Sequence, residues 1–394
     1  QWQDMPIKDR ESKFLGVKPK IDNTDQLPCL AFDFSCFHEK TIPQIQNSSS
    51  DIGARALFAR WIPDPFSAQK QHFFRGKIRI FEKQDAMDVF VEQYRKNLYA
   101  KEYAKVFSGK ERVMIANLPW MKGARTGVRA GSRWPHMRDI QEKDYLPFPF
   151  FKAYAASLLK KNNYQVFLFD AIAEASSSED FLEKVKSYEP SLLVCETSIP
   201  SMRNDLEILS LMPRDVKIAL CGPNVFVREE KFLKEHPFIQ FVCVGEYEYT
   251  LLDLVRVLHG KGDPKDVKGL IYRDGNGEIK RTQDRPLVEN LDLLPWPERK
   301  SLPIYRYIDT PGSMPLPSVQ MWASRGCPFR CGFCAWPQLM YGGQNYRMRS
   351  AKDIVDEMEY LVREMGFRSI YFDDDTFNVN RKQVFAICGE LIQR

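Results

Sequence analysis

The sequence has no apolar run that approaches the ~18 residues of a membrane-spanning helix. The opening residues, Gln1 to Asp4, have neither the basic end nor the apolar core of a signal peptide. They also lack an initiator Met, so we expect the chain to begin inside a longer reading frame. Lys and Arg total 57 against 52 Asp and Glu, and this net charge of +5 is spread along the chain. No basic stripe typical of nucleic-acid binding is present, so we expect no nucleic-acid partner.

Cysteine usage argues against a disulfide framework. The nine cysteines are an odd number in a long chain without a secretion signal, which favours a reducing compartment. Hydrophobic residues make up 44% and charged residues 28% of the chain, as in ordinary globular proteins. We therefore predict a cytoplasmic protein.

The sequence of residues 1–105 indicates no function, and this region is left unassigned. Cys29, Cys36 and His38 could ligate a metal, but no second close pair supports this, and an inert, partly buried set is the preferred interpretation. A helical stretch is predicted from about Asp85 to Lys105.

Residues 106–262 alternate short β-branched runs with amphipathic helical stretches. The predicted strands are Val113 to Asn117, Gln165 to Asp170, Ser191 to Cys195, Val216 to Cys221 and Ile239 to Val244. Helices are predicted over 150–161, 178–187, 202–211, 228–236 and 247–259. This pattern predicts an α/β, flavodoxin-like doubly wound parallel sheet, whose ligands bind beyond the carboxyl ends of the strands.

Residues 263–317 are predicted to form a hairpin and a proline-rich linker. The hairpin turns at Asp274-Gly275-Asn276-Gly277. Seven prolines then follow between Pro286 and Pro317, which indicates a semi-rigid connector between domains.

Residues 318–394 are predicted to form a second βαβ unit. A strand from Ser318 leads into a cysteine loop, and a capping box at Ser350, with Asp353 in the place of Glu, begins a helix that runs to about Met365. A strand over 367–372 follows. A parallel barrel needs many more residues than remain, so we expect a chain truncated at its carboxyl end.

The strongest chemical signal is Cys327-Pro-Phe-Arg-Cys331-Gly-Phe-Cys334 in the loop after a strand. Three thiolates on one short loop can ligate three irons of a four-iron cluster and leave the fourth iron open. Zinc is the alternative, but a structural zinc site needs four ligands, usually as two close pairs, and no such second pair lies nearby.

The stretch Ser324 to Cys334 resembles the cluster loop of the radical S-adenosylmethionine enzymes, which implies that residues 318–394 are the first part of a radical S-adenosylmethionine barrel. The resemblance implies that Cys327, Cys331 and Cys334 ligate a 4Fe-4S cluster, that S-adenosylmethionine binds its open iron, and that Phe333 packs near the adenine. It also implies that Asp373, Asp374 and Asp375 receive the substrate ammonium, although an acidic strand end is often only a solvated cap. Arg347 and Arg349 either approach the carboxylate or face solvent.

The five-strand unit is similar to the cobalamin-binding domain of one large subgroup, which includes the anaerobic magnesium-protoporphyrin ester cyclase and the hopanoid-associated enzymes. The similar stretches begin at Gly131, Cys221, Val244 and Leu291. The resemblance implies cobalamin contacts at strand ends and in the first loop, from Trp134, Thr197, Ser198, Gly222, Pro223, Gly245 and Glu246. The alternative is that a glycine after a strand only makes a turn.

Two features qualify this resemblance. The loop after the first strand has His136 in the wrong spacing for the D-x-H-x-x-G motif, so we expect no cobalt ligation by this histidine. The methylthiotransferases, which also join an α/β domain to a radical barrel, suggest a second cluster on Cys195, Cys221 and Cys243. Strand cysteines are normally small buried hydrophobes, and we prefer that interpretation.

The resemblance implies an enzyme that cleaves S-adenosylmethionine reductively, forms a 5′-deoxyadenosyl radical and methylates an unactivated carbon through cobalamin. Radical cyclisation or rearrangement without methyl transfer is the first alternative, and a non-catalytic cobalamin-binding or scaffold subunit is the second. The expected partners are a small-molecule or lipid substrate and an electron donor such as flavodoxin or ferredoxin.

Overall fold

The computed structural model describes residues 112–129, 135–139, 145–224, 226–274, 276–308, 314–334 and 336–394, and the backbone of five short strands before residue 82. The chain divides into two compact units, Gln1–Ser108 and Gly109–Arg394. The helix predicted from Asp85, together with Cys36, His38 and the side chain of Cys29, lies outside the described residues.

The first unit contains two small antiparallel sheets. Its strands are β1 (Phe14–Leu15), β2 (Cys29–Asp33), β3 (Gln44–Ser49), β4 (Arg55–Arg60) and β5 (Lys77–Phe81). One sheet has the order β1-β4-β3, and the other pairs β2 with β5.

The second unit is built on a seven-stranded sheet. Its strands are β6 (Arg112–Asn117), β10 (Gln165–Asp170), β11 (Leu192–Glu196), β12 (Lys217–Cys221), β13 (Phe241–Cys243), β14 (Leu270–Arg273) and β15 (Ile279–Arg281). The order is β10-β6-β11-β12-β13-β14-β15, and the first five strands are parallel. This is the flavodoxin-like order, with the first strand between the second and the third. The predicted fold of this sheet is confirmed.

Helices cover the sheet. They are α1 (Phe150–Lys161), α2 (Ser178–Tyr188), α3 (Met202–Ser210), α4 (Glu230–Glu235) and α5 (Glu248–Leu258). Leu192 and Val194 pack with residues of α1 and α5 in one core cluster. Leu193, between them, is equally buried, and side chains alternate between the faces of a strand. Both faces of the sheet are therefore covered, which explains why its strands are apolar throughout.

Two parts of the unit differ from the sequence prediction. The predicted hairpin forms, but β14 also pairs antiparallel with β13, so the hairpin extends the sheet instead of standing apart. The loop after β6 contains a small antiparallel sheet of β7 (Met121–Lys122), β8 (Arg125–Val128) and β9 (His136–Asp139) that was not predicted. The hairpin covers an edge of β13 that would otherwise be open.

Residues 314–394 form the start of a parallel barrel. The elements are β16 (Ser318–Met321), β17 (Ser324–Arg325), α6 (Trp336–Tyr341), β18 (Arg347–Met348), α7 (Ala351–Glu359), β19 (Ser369–Phe372) and α8 (Arg381–Gln393). β16 pairs in parallel with β19 across α7, as predicted for a βαβ unit. After α7 the chain continues as a π-helical turn, Tyr360–Glu364. Within the described part of the chain, no helix has the length and apolar character needed to cross a bilayer.

The predicted capping box is only half formed. The hydroxyl of Ser350 accepts a hydrogen bond from the backbone N–H of Asp353 at 3.2 Å. The carboxylate of Asp353 accepts instead from the indole N–H of Trp296 at 3.0 Å and from Nε of Arg349 at 2.6 Å. A buried arginine is a stronger partner for this carboxylate than a backbone amide.

The barrel part and the sheet part share one core. Trp322, after β16, stacks on Phe150 of α1 with ring centroids 4.2 Å apart. The proline-rich connector also packs on the sheet: the Tyr307 hydroxyl donates to Asp170 at 2.9 Å, and Arg306 donates to the carbonyl of Ala173 at 2.8 Å. Arg228, after β12, donates to the carbonyl of Leu339, and Gly245, after β13, lies against the carbonyl of Met340. The carboxyl ends of these two strands therefore lie beside α6, the helix that follows the cysteine loop.

Candidate active site at the cysteine loop

The cysteine loop connects β17 to α6. Cys327 and Cys334 are half-buried and Cys331 is exposed, and the N–H of Cys334 donates to the carbonyl of Cys331 at 3.0 Å. Gly326 begins the loop with φ +86°. A Cβ at this position would lie 2.3 Å from Oδ1 of Asn345, so only glycine fits.

The acidic strand end contacts the base of this loop. Asp374 accepts hydrogen bonds from the hydroxyl and backbone N–H of Ser324 and, at 3.3 Å, from the N–H of Ala323. Asp375 accepts from the N–H of Gly326 at 3.1 Å. Burial raises the pKa of Asp374 to about 6, even though the hydrogen bonds from Ser324 and Ala323 favour the carboxylate. Asp373 is buried, and its N–H donates to the carbonyl of Met321.

An open cavity of about 560 Å³ lies over the loop. It is lined by Arg330, Cys331, Gly332, Phe333, Cys334, Gln338, Gly343 and Gln344. The Phe333 side chain is 81% exposed in it. A large apolar side chain in this position is available to cover a planar ligand.

The donor set of the loop fits an iron–sulfur cluster. Three thiols lie within eight residues, and Thr376 donates its hydroxyl hydrogen to Sγ of Cys327 at 3.1 Å. Hydrogen bonds to cysteine sulfur are a normal means of tuning a cluster. In the described residues no three His, Cys, Asp or Glu side chains lie close enough together to hold a metal ion, so the three thiols share one loop but are not gathered around a common point. This composition suits a cluster with one open iron better than structural zinc.

The two arginines proposed for the substrate carboxylate lie in different places. Arg347 donates to both oxygens of Glu246, each bond 2.8 Å long, and to the carbonyl of Val288. Arg349 is buried, and its guanidinium bonds to Asp353 and Glu357. Arg347 pairs with Arg325, at the start of the cysteine loop, whereas Arg349 packs between α7 and the carbonyl of Trp322.

The residues proposed for cobalamin lie at the carboxyl edge of the sheet. Thr197, after β11, donates to Asp205 at 2.8 Å, and the hydroxyls of Ser198 and Ser201 share a hydrogen bond of 2.7 Å. Glu246 is buried among Arg325, Arg347 and the N–H of Val288. Trp134 lies outside the described residues.

The end of β12 offers a free donor to a ligand. Gly222, with φ +94°, and the half-buried Pro223 turn the chain, and Gly245 has φ +71° after β13. Asn224 is 3% exposed, and its Nδ2 has no hydrogen-bond partner among the described residues. A buried amide without a partner is costly, so a polar ligand at this edge would be stabilised there. The edge therefore fits a ligand with a polar group that can accept this hydrogen bond.

The sheet cysteines do not gather as a second cluster site. In the register of the sheet, Cys195 aligns with Leu220, whereas Cys221 aligns with Glu196, so Cys195 faces the opposite side from Cys221. Cys195, Cys221 and Cys243 are each buried, and burial raises the pKa of Cys195 to about 12. The Cys195 thiol stays protonated, as expected of a small buried hydrophobe.

His136 lies on β9 and was not expected to ligate cobalt. Its ring stacks with that of Tyr145, with the centroids 5.9 Å apart.

Sequence reasoning missed a buried triad at the sheet edge. Lys152 of α1 contacts Glu196 at the end of β11, and the hydroxyl of Tyr247 donates to the same carboxylate at 2.8 Å. Burial, followed by the nearby Glu196 charge, raises the pKa of Tyr247. A carboxylate that ends an otherwise apolar strand, as in Leu-Leu-Val-Cys-Glu, is the signal that could have identified it.

Comparison with known proteins tests the resemblance directly. No family model matches the chain. An uncharacterized methyltransferase of Pyrococcus horikoshii is 29% identical over 242 residues, which are 61% of this chain and 51% of that protein. The anaerobic magnesium-protoporphyrin IX monomethyl ester cyclase of Cereibacter sphaeroides is 30% identical over 254 residues, which are 62% of this chain and 40% of that protein.

A solved structure of the cobalamin-dependent S-adenosylmethionine radical enzyme OxsB, with aqua-cobalamin and S-adenosylmethionine bound, superimposes with a TM-score of 0.55 at 18% identity. The match covers 84% of this chain and 41% of that one. The resemblance to the cobalamin-containing radical S-adenosylmethionine enzymes is confirmed. The superposition also supports the predicted fold, a doubly wound sheet followed by the start of a radical S-adenosylmethionine barrel. The chain spans about half, or less, of the length of the curated relatives that it matches.

Proposed function

We propose that the chain is part of a cobalamin-dependent radical S-adenosylmethionine enzyme that methylates an unactivated carbon of a small molecule or lipid. The observation that carries the proposal is the position of the three-cysteine loop. It lies at the start of a parallel barrel and leads into α6, whose Leu339 and Met340 carbonyls contact the segments after β12 and β13, where a sheet of this topology binds its ligand. The proposed sites for the two cofactors thus belong to one compact unit, Gly109–Arg394.

The residues of the cysteine loop have separate roles in this proposal. Cys327, Cys331 and Cys334 would hold a 4Fe-4S cluster, and Phe333 would cover the adenine of S-adenosylmethionine. Asp374 and Asp375 hold the loop by accepting backbone hydrogen bonds, and the Asp373–Asp375 run offers carboxylates to the substrate ammonium. Arg347 lies on the same side. When bound, the cluster would supply one electron for reductive cleavage of the sulfonium.

The sheet edge would hold cobalamin. Gly222, Pro223 and Gly245 let the backbone approach the cofactor, Thr197 and Ser198 offer hydroxyl groups, and the amide of Asn224 offers an unused donor. Trp134 is proposed to contact the corrin from the loop after β6. Cobalamin would supply the methyl group when it is bound there.

Assay of the full chain tests the cluster proposal. After anaerobic reconstitution with iron and sulfide, we expect about four irons per chain and formation of 5′-deoxyadenosine from S-adenosylmethionine and dithionite. Cys331→Ala should lose both. Cys388→Ala is the matched control, because Cys388 is an exposed thiol on α8. Equal losses in the two variants, or no 5′-deoxyadenosine from the unmodified chain, would contradict the proposal and favour the scaffold alternative.

The cyclase relative supports a second candidate, a radical cyclisation or rearrangement without methyl transfer. Titration with hydroxocobalamin, followed by reduction and methyl-labelled S-adenosylmethionine, separates the two candidates. Label on cobalamin, seen together with the absorption spectrum of methylcobalamin, is expected for a methyltransferase. Cobalamin binding with no transfer of label would favour the second candidate.

We also propose a cytoplasmic enzyme that receives electrons from a flavodoxin or ferredoxin. The seven cysteines in the described residues are all free, which suits a reducing compartment. Reduction of the reconstituted cluster by purified flavodoxin, measured by electron paramagnetic resonance, tests the donor.

A further inference from the structure

Two arginines beside the cysteine loop are held by two glutamates from the sheet part. Arg347 binds Glu246 through two bonds of 2.8 Å, and Arg325 lies 3.3 Å from Glu246 and 2.6 Å from Glu248. Side-chain exposure does not exceed 10% for any of the four. The two positive and two negative charges therefore neutralise one another in a site that is almost completely buried from solvent.

These arginines close the base of the cysteine loop. Arg325 on β17 pairs directly with Arg347 on β18, so the two strands bring together the ends of the segment that carries the cysteine loop and α6. Arg325 is separated from Cys327 only by Gly326, which allows no side chain at its position. A shift of the paired Arg325 and Arg347 would therefore shift Cys327, the first cysteine of the loop.

A second contact holds the other arm of the loop. Nη2 of Arg228 donates to the carbonyl of Gly222 at 3.2 Å and to the carbonyl of Leu339 at 3.0 Å. Leu339 lies on α6, which follows the third cysteine closely. Beside it, the carbonyl of Met340 lies 3.3 Å from where a Cβ on Gly245 would be. Both arms of the loop are thus held by the segments that follow β12 and β13.

Stability alone does not account for the charged contacts at the base. A buried ion pair is often no more stabilising than well-packed apolar residues of similar volume. A bidentate arginine–carboxylate pair, in contrast, fixes the relative orientation of the two groups, because its geometry is planar and directional. The arrangement is therefore suited to setting an orientation.

We infer that Glu246, through Arg325 and Arg347, and Arg228, through the carbonyl of Leu339, are positioning residues that orient the cysteine loop against the carboxyl edge of the sheet. The inference rests on the proposed function, because it takes the three cysteines as cluster ligands. It adds that the orientation of the open iron is set by the cobalamin-type sheet as well as by the barrel.

Glu246→Gln tests the first contact in the reconstituted full chain. The variant keeps all three cysteines, so we expect the iron content of the unmodified protein. We expect a changed electron paramagnetic resonance spectrum of the reduced cluster in the presence of S-adenosylmethionine. The rate of its cleavage at saturating concentration should fall at least tenfold, since a displacement of about 1 Å can cost on the order of 100-fold.

Asp170→Asn is the matched control. Asp170 is also a buried carboxylate at the carboxyl end of a sheet strand, and it bonds to Asn117 and Tyr307. This variant should lose stability but keep the spectrum and cleavage rate of the unmodified chain. Equal spectral and kinetic changes in both variants would show a general loss of folding and overturn the inference.

Arg228→Gln supplies an independent test if Glu246→Gln does not fold. Arg228 is only partly buried, and its two bonds go to backbone carbonyls. We expect a several-fold lower cleavage rate and an altered spectrum at full iron content. An unchanged rate and spectrum here would overturn the inference. An unmodified chain that assembles no cluster would instead refute the proposed function, and the inference with it.

Discussion

At the residue scale, Gly326 decides whether the cysteine loop can form. Gly326→Ala would place a methyl group against Asn345 in a left-handed backbone conformation that disfavours side chains. We expect the variant to retain less than half of the iron of the unmodified chain after anaerobic reconstitution, as measured by metal analysis. Gly332→Ala is the control, because no atom lies within 4 Å of its added Cβ. Iron retention by Gly326→Ala equal to that of the control would contradict this prediction.

Asp374 makes stability depend on pH. Burial raises its pKa in the folded state to about 6 from a reference value of 3.8. A carboxyl with a raised pKa stabilises the fold fully below pH 4, and this contribution is lost as the pH rises through 6. Each unit of pKa shift corresponds to about 1.4 kcal/mol.

Asp374→Asn removes that dependence. The free energy of unfolding of the variant, relative to the parent chain, should increase between pH 4 and pH 7 in urea titrations of the metal-free protein. A constant difference between the two proteins over this range would show that Asp374 is not the titrating group.

At the element scale, Lys152 joins α1 to the end of β11. The lysine side chain is 1% exposed, so Lys152→Met would leave the Glu196 carboxylate without its cation. We expect a loss of about 3 kcal/mol in the free energy of unfolding, measured by urea denaturation. The double variant Lys152→Met/Glu196→Gln should recover much of this loss, because glutamine is neutral and still accepts the Tyr247 hydroxyl bond.

Lys160→Met is the comparison for that prediction. The Lys160–Glu298 pair is 2.8 Å long, but the lysine is 36% exposed. Solvent screens such a pair, and we expect a loss below about 1 kcal/mol. Equal losses at positions 152 and 160 would show that burial does not determine the effect.

At the scale of the whole molecule, the sheet and the barrel start share a core. Trp322 is 6% exposed and stacks on Phe150, so Trp322→Ala should cost about 3–5 kcal/mol in the free energy of unfolding. We expect one cooperative transition for both parts of Gly109–Arg394, with coincident midpoints by circular dichroism and tryptophan fluorescence.

The control for the shared core is Ile199→Ala, since Ile199 is 63% exposed in the sheet part. Its transition should match that of the parent chain. Two separate transitions in either protein would show that the parts fold independently, as the proline-rich sequence of the connector by itself suggests.

The sequence by itself determined the main strands and helices of the doubly wound sheet and the position of the cysteine loop. Strands such as Gln165–Asp170 and helices such as Phe150–Lys161 were predicted to the residue, because apolar periodicity is a local property. Cys327, Cys331 and Cys334 lie within eight residues of one another, so their spacing alone indicates a metal-binding loop.

Only the tertiary structure decided which charged side chains meet. Glu246 and Arg347 are far apart in sequence, as are Lys152 and Glu196, and no local pattern pairs them. The same holds for the hairpin that extends the sheet and for Asp353, whose carboxylate binds Arg349 and Trp296 and not the helix cap. Buried charges must find partners wherever packing brings them, and packing depends on the whole fold.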